Sequence, residues 1–183
     1  VLNIQTSQEK ELVQRVQRGD HKAQYVLYRQ YVDAMYHTVL RIMNNSTDAQ
    51  DVVQECFVKV FEKINSYRGE ATIGAWIKKI AINTAINALR KKKRNLEYSS
   101  DEISESKFVV EEDVADNVLS SKIIHDAVLG LPSGCRTVLN LYLFEGYSHK
   151  EVAEILNIAE STSKTQFRRA KILLRTSLKS KYV

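Results

Sequence analysis

Residues 48–94, DAQDVVQECFVKVFEKINSYRGEATIGAWIKKIAINTAINALRKKKR, set four features in a fixed order. An acidic face and an apolar stripe share one helical span. A Ser-Tyr-Arg-Gly turn follows at 66–69, a Trp-bearing helix opens after it, and five consecutive basic residues close the stretch at 90–94. A single amphipathic helix fits almost any fold. This order instead requires two helices joined by a short turn, each with a polar face left over once its apolar stripe is buried. It points to one surface for a large partner and another for nucleic acid.

The rest of the chain is read the same way. With 183 residues, one Pro and six Gly, it can build one medium domain or two small ones, with helices favoured over sheets. The fold class expected is all-α, two small helical domains joined by a flexible acidic linker, the second domain ending in a helix-turn-helix. Charge divides the chain at the same places. Residues 1–94 carry 16 basic and 9 acidic side chains, 95–118 carry 1 and 8, and 119–183 carry 10 and 5. Two basic domains thus flank an acidic strip, either a simple solvated linker or a polyanion between two nucleic-acid binders.

Cys56 and Cys135 form no CxxC pair, and the four His have no metal spacing with them. Buried thiols in a reducing cytoplasm are expected, with no cofactor and no metal site. No apolar run approaches the roughly 20 residues of a membrane span, so no direct membrane insertion is expected. The N-terminal VLNIQTSQEK lacks the regions of a signal peptide.

Four helices are predicted in domain 1–94. The first covers 7–18 and stops at Gly19. The second follows Asp20 as N-cap and runs to 44, with Val26, Leu27, Ala34, Met35, Val39, Leu40 and Ile42 as apolar positions. The third starts at Thr47, which would form a capping box with Gln50, and buries Val52, Val53, Cys56, Phe57, Val60 and Ile64. After a loop at 65–70 turning on Gly69, the fourth starts near Thr72 and enters the basic run. The linker spans 95–118. In domain 119–183, helices are predicted at 119–130, 133–144, 148–156 and 160–179, with a capping box from Ser148 to Glu151 and a left-handed stop at Asn157.

Three constellations carry chemistry. On the third helix Asp51, Gln54, Glu55, Val58 and Glu62 lie off the apolar stripe, as a solvated face or a protein-docking surface. On the fourth, Asn83, Asn87 and Arg90 share one face, with Trp76, Lys78 and Lys79 before them; amide and guanidinium groups there can bond base edges and phosphates. Trp76 is either a core residue or a stacking platform, and Tyr67 and Arg68 in the preceding loop offer a ring and a cation to an exposed base. On the last helix, Phe167, Ala170 and Leu174 face inward. Ser161, Thr162, Lys164, Thr165, Arg168 and Arg169 are left to face outward with Gln166, the composition a major groove accepts.

With these motifs in order, nearly the whole chain resembles the extracytoplasmic-function sigma factors of bacterial RNA polymerase. Residues 48–64 resemble the family's polymerase-binding helix, 66–94 its promoter-melting and −10-reading segment, and 131–175 its −35-binding domain. The resemblance implies a non-enzymatic, cytoplasmic protein that binds core RNA polymerase and directs promoter-specific initiation. Asp51, Gln54, Glu55, Val58 and Glu62 would bind the core polymerase. Asn65, Tyr67, Arg68, Trp76, Lys79, Asn83, Asn87 and Arg90 would bind −10 DNA. Ser161, Thr162, Lys164, Thr165, Arg168 and Arg169 would bind −35 DNA. Promoter DNA and an anti-sigma factor are the further partners implied, and the acidic linker would thread along the RNA-exit path.

Three positions depart from the family pattern. Ala159 stands where a capping Ser is common, so the last helix would start later or lean on Ser161. Ser163 takes a usually apolar position and would loosen that helix. Ile73 and Gly74 replace the commoner Phe-Arg after the loop. A conventional helix-turn-helix regulator is the competing reading; it needs only the last domain and leaves 48–94 without a purpose. No P-loop, HExxH, GxSxG or Gly-rich dinucleotide loop argues for an enzyme.

Overall fold

The computed structural model describes residues 7–98 and 117–179, and the side chains of 7–94 and 123–179. Among these residues every regular element is a helix. The chain divides into two compact units, 1–105 and 106–183. The expected linker 95–118 falls mainly on residues 99–116, outside the described residues.

In the first unit, α1 (Ser7–Gln17) leads through Gly19, at φ +82°, into α2 (His21–Met43). Asp20 is the N-cap: its Oδ1 accepts from the amides of Lys22 at 2.9 Å and Ala23 at 3.1 Å. Its Oδ2 accepts from Arg15 Nη2 at 2.8 Å, which fixes the corner between α1 and α2. Asn44, at φ 55°, ends α2 in the left-handed conformation.

Helix α3 spans Ser46–Lys63. Its N-cap is Asn45 rather than Thr47, because Asn45 sits in extended backbone with its side chain accepting from the Asp48 amide at 2.9 Å. A 3₁₀ turn, Ile64–Ser66, then leads through Gly69, at φ +76°, to α4 (Ile73–Tyr98). Thr72 Oγ1 accepts from the Ala75 amide at 3.2 Å and starts that helix.

Helices α2, α3 and α4 pack on one another around Leu27, Val39, Ile42, Val60, Ile77 and Ile82. Burying each of these side chains stabilises the fold by roughly 1.5–3 kcal/mol. All six core positions predicted on α3 and its end are buried. On α2, Leu27, Met35, Val39 and Ile42 are buried, but Val26 and Ala34 are exposed. Their apolar character was misleading, since α2 packs on its neighbours through only one face.

The second unit holds α5 (Asn117–Leu129), α6 (Ser133–Leu139), α7 (His149–Leu156) and α8 (Glu160–Lys179). Leu131, Cys135, Leu139 and Ala170 form its buried cluster, with Phe167, Leu173 and Leu174 packed against it. The helix predicted over 133–144 changes character at Asn140. Residues Asn140–Phe144 form a π turn, with the Glu145 amide reaching the Asn140 carbonyl at 3.1 Å. Buried Arg136 uses Nη1 to donate to the carbonyls of Leu129 at 2.7 Å and Leu131 at 3.2 Å, which closes the C-terminus of α5. The capping box of Ser148 with Glu151 starts α7, and Asn157, left-handed at φ 52°, ends it before α8.

Candidate nucleic-acid and partner interfaces

Asp51, Gln54, Glu55, Val58 and Glu62 are all exposed along one side of α3, opposite the stripe it buries on α2 and α4. Val58, 57% exposed, puts an apolar spot within this acidic surface. One residue that periodicity did not flag organises the face. Lys59 Nζ donates to Glu55 Oε1 at 2.6 Å and reaches Thr84 Oγ1 of α4 at 3.5 Å, so Glu55 is steadied from the neighbouring helix.

The loop after α3 differs from a flexible stacking arm. Asn65 and Arg68 are exposed, but Tyr67 is buried at 9% exposure. Its hydroxyl donates to the Ala71 carbonyl at 2.6 Å, and its ring lies 5.4 Å from that of Trp76. The expectation of Tyr67 as a ring open to a base is therefore corrected. It closes the loop on itself and on the half-buried Trp76, and leaves Arg68 beside it in solvent.

On α4, Lys79, Asn83, Asn87 and Arg90 are exposed and Lys78 is half-buried. Arg90 Nη1 donates to Asn87 Oδ1 at 3.3 Å, so two members of the predicted row already face each other. The basic run is not uniformly committed to solvent: Lys92 Nζ pairs with Asp48 Oδ2 at 2.7 Å and ties the end of α4 to the start of α3.

In the second unit Ser161, Thr162, Lys164, Thr165, Arg168 and Arg169 are all exposed on α8. Two of them are engaged within the helix. Lys164 Nζ pairs with Glu160 Oε1 at 2.7 Å, which holds the Glu160 carboxyl below its usual range. Thr165 Oγ1 donates to the Ser161 carbonyl at 2.8 Å. Gln166 turns inward, accepting from Cys135 Sγ at 2.9 Å, and so leaves the outer face.

The predicted reliance on Ser161 as a cap is also corrected. Helix α8 begins at Glu160 with the Ser163 amide bonded to the Ala159 carbonyl at 3.1 Å, and the Ser161 side chain is exposed. Ser163 does not loosen the helix: it is fully buried, with His149 Nδ1 3.0 Å from its Oγ. A polar residue inside an apolar stripe was the only sequence sign that a partner had to exist.

Two family models match the chain in order, Sigma-70 region 2 over residues 27–95 and Sigma-70 region 4 over residues 121–174. The RNA polymerase sigma-H factor of Pseudomonas aeruginosa is 29% identical over 174 residues, with 90% of each chain covered. The ECF RNA polymerase sigma factor SigW of Bacillus subtilis is 32% identical over 181 residues, covering 93% of this chain and 96% of SigW. Among solved structures, the fold is similar to the sigma factor RpoE of Bartonella quintana, solved in complex with the anti-sigma factor NepR. That match has a TM-score of 0.65 and 22% identity, over 85% of this chain and 96% of the other. With both regions matched in order and SigW aligned over almost its whole length, the chain belongs to the extracytoplasmic-function sigma factors of bacterial RNA polymerase.

Proposed function

We propose that this sigma factor, a non-enzymatic subunit, docks on core RNA polymerase through α3, captures −10 bases with the loop 65–72 and α4, and holds −35 duplex with α8. One observation carries the division of labour. A single three-helix core exposes acidic Asp51, Glu55 and Glu62 on α3, and Asn83, Asn87 and Arg90 on α4. An acidic face repels phosphate and suits a basic protein surface, while amides and a guanidinium suit nucleic acid.

The energetics are compatible with this assignment. Opening duplex DNA costs about 1.4 kcal/mol per stacked step. Each captured base returns about 1–3 kcal/mol, so a few captures offset a short bubble. Arg68 and Asn65 are the loop groups positioned to meet such bases, with Tyr67 packed beneath them against Trp76. Two DNA-binding units on one chain raise each other's effective concentration, so neither needs to bind tightly alone. The acidic linker would follow the RNA-exit path of the polymerase, and the protein would work in the cytoplasm beside it. The structural relative in complex with an anti-sigma factor supports an anti-sigma partner here, covering the α3 and DNA-binding surfaces until released.

Run-off transcription from genomic fragments, with core polymerase alone and with the chain added, tests the proposal. New start sites that depend on the chain are expected. Their absence, together with tight duplex binding by the free chain, would favour a conventional helix-turn-helix regulator instead.

A further inference from the structure

The loop 65–72 can capture a base with little loss of affinity to ordering only if its two ends are already fixed. Both ends are tied to α1, a helix that precedes the matched region 2. At the loop entrance, Gln17 Nε2 donates to the Ile64 carbonyl at 3.1 Å, in the 3₁₀ turn that closes α3. At the exit, Tyr31 of α2 lies against the first turn of α4. A Cβ on Gly74 would stand 2.7 Å from Tyr31 Cε1, so ring and helix meet only because residue 74 has no side chain. The ring is held there from α1, its hydroxyl donating to Glu9 Oε1 at 2.9 Å.

Resting on the base-capture reading above, we propose that α1 braces the −10 loop, and that Gln17, Tyr31 and Gly74 are positioning residues for promoter opening. Glu9 and Gln17 stand roughly 12 Å apart along α1, so one rigid helix reaches both flanks of the loop. The packing of α1 does not need these contacts, since Val13 and Val16 already bury its apolar side. Besides the Arg15–Asp20 pair at its own corner, α1 sends the Gln17 and Glu9 contacts to the two places where the loop joins its helices. Gly74 fits the same account. Glycine is a poor residue inside a helix, and here its bare backbone is what lets the Tyr31 ring approach.

The test uses holoenzyme assembled from core polymerase and the full chain, on a promoter identified by run-off transcription. Opening is followed by permanganate reactivity of unpaired thymines, with polymerase and −35 duplex affinities measured alongside. Gln17→Ala, Tyr31→Phe and Gly74→Ala are each expected to slow opening roughly 3- to 10-fold, the effect of one lost hydrogen bond or its steric equivalent, with both affinities unchanged. Gly74→Ala gains helix propensity but pushes its Cβ against the Tyr31 ring, so its melting temperature is read beside that of Ile42→Val to separate positioning from stability. The double variant Gly74→Ala with Tyr31→Phe is expected to open no more slowly than the slower single one, since both act through the same ring. Ile42→Val, which thins the core at the far end of α2, lowers the melting temperature and leaves opening alone.

Two results would overturn the brace by itself: Arg68→Ala slows opening while Gln17→Ala and Gly74→Ala do not, or Ile42→Val slows it as much as they do. If Arg68→Ala has no effect on opening, the base-capture reading falls and the brace falls with it.

Discussion

His149 Nδ1 lies 3.0 Å from Ser163 Oγ and joins the first residue of α7 to the buried side of α8. Tyr142, from the π turn, stacks on the His149 ring at 4.3 Å with 17° between planes, and Phe167 packs on both rings at 4.6 and 5.5 Å. The two helices of the helix-turn-helix are therefore joined by an aromatic stack with a hydrogen bond at its centre. Ser163 sits between Thr162 and Lys164, which face outward, so this bond lies directly behind the surface proposed to meet −35 DNA.

Ser163→Ala strands a half-buried ring nitrogen and is expected to cost about 1 kcal/mol. In a unit of this size that corresponds to a fall of roughly 4–8 °C in melting temperature. Ser163→Val restores the apolar residue usual at this position but must find room for added carbons in a filled site, at a cost of about 1–3 kcal/mol. Thermal unfolding of both variants checks this. A valine variant more stable than the parent would mean that the hydrogen bond is not what this site is built around.

Asp20 makes stability pH-dependent with a definite sign. The Arg15 guanidinium, followed by the Ala23 amide, holds its carboxyl below the ordinary value of 3.8. A carboxylate with a depressed folded value stabilises the native state above its unfolded value, and that contribution is lost as pH falls through the folded one. Asp20→Asn keeps an N-cap oxygen but loses the charge facing Arg15. The variant is expected to melt below the parent at pH 7, by a gap that narrows as the pH falls below 3.8. A gap that widened as the pH fell would exclude this linkage.

The elements that could be read in the sequence are those set by local chemistry. Asp20, Ser148 and Asn157 cap or stop helices by reaching amides or turning backbone within a few residues, so spacing alone reveals them. Val52, Val53, Cys56, Phe57 and Val60 recur at helical period and all are buried. What escaped depends on contacts distant in sequence. Tyr67 resembles an exposed loop aromatic until Trp76 and the Ala71 carbonyl enclose it. Asn45 and Thr47 can both cap a helix, and the extended backbone at Asn45 decides between them. Ser163 and His149 are fourteen positions apart, and no periodicity pairs a serine with a histidine. Of the candidate site, the faces of α3, α4 and α8 were legible, but the contacts that steady them, Lys59 to Glu55 and Lys92 to Asp48, were not.

Cys56 is expected to be inert in the native protein. It is fully buried, and burial pushes its thiol up to about 12. At pH 8 the thiolate fraction is then on the order of 1 in 10,000, against about a quarter for a free cysteine. Cys135 is also buried, with its thiol raised by desolvation and bonded to Gln166. An aromatic disulfide reagent at pH 8 should label both only at the rate of opening, and promptly once denaturant is added. Rapid native labelling of either would show that the packing around it opens readily.

Asp51→Lys with Gln54→Ala tests the docking face of α3. Both residues are exposed, so the fold should change by no more than about 0.5 kcal/mol. Against a basic polymerase surface the reversed charge should weaken binding by roughly 10-fold or more, through slower association and like-charge repulsion. Fluorescence titration with core polymerase measures this. Unchanged affinity with an unchanged melting temperature would move the docking site away from this face.

Lys164 and Arg169 carry the last prediction. Each phosphate neutralised on duplex DNA contributes about 0.9 to the slope of log affinity against log salt. If both side chains meet phosphates, Lys164→Ala with Arg169→Ala lowers that slope by about 1.8 and weakens −35 duplex binding at every salt concentration. Lys164 first has to leave Glu160, its partner at 2.7 Å. Such an exposed ion pair is weak, so the exchange costs little. Glu160→Gln removes the competing carboxylate next to the proposed DNA face and should tighten duplex binding by a few fold at low salt, an advantage that shrinks as salt rises. The two changes therefore have opposite signs. A Glu160→Gln protein that bound less tightly than the parent would mean that the first turn of α8 does not approach the phosphates, and that Lys164 serves the helix and not the DNA.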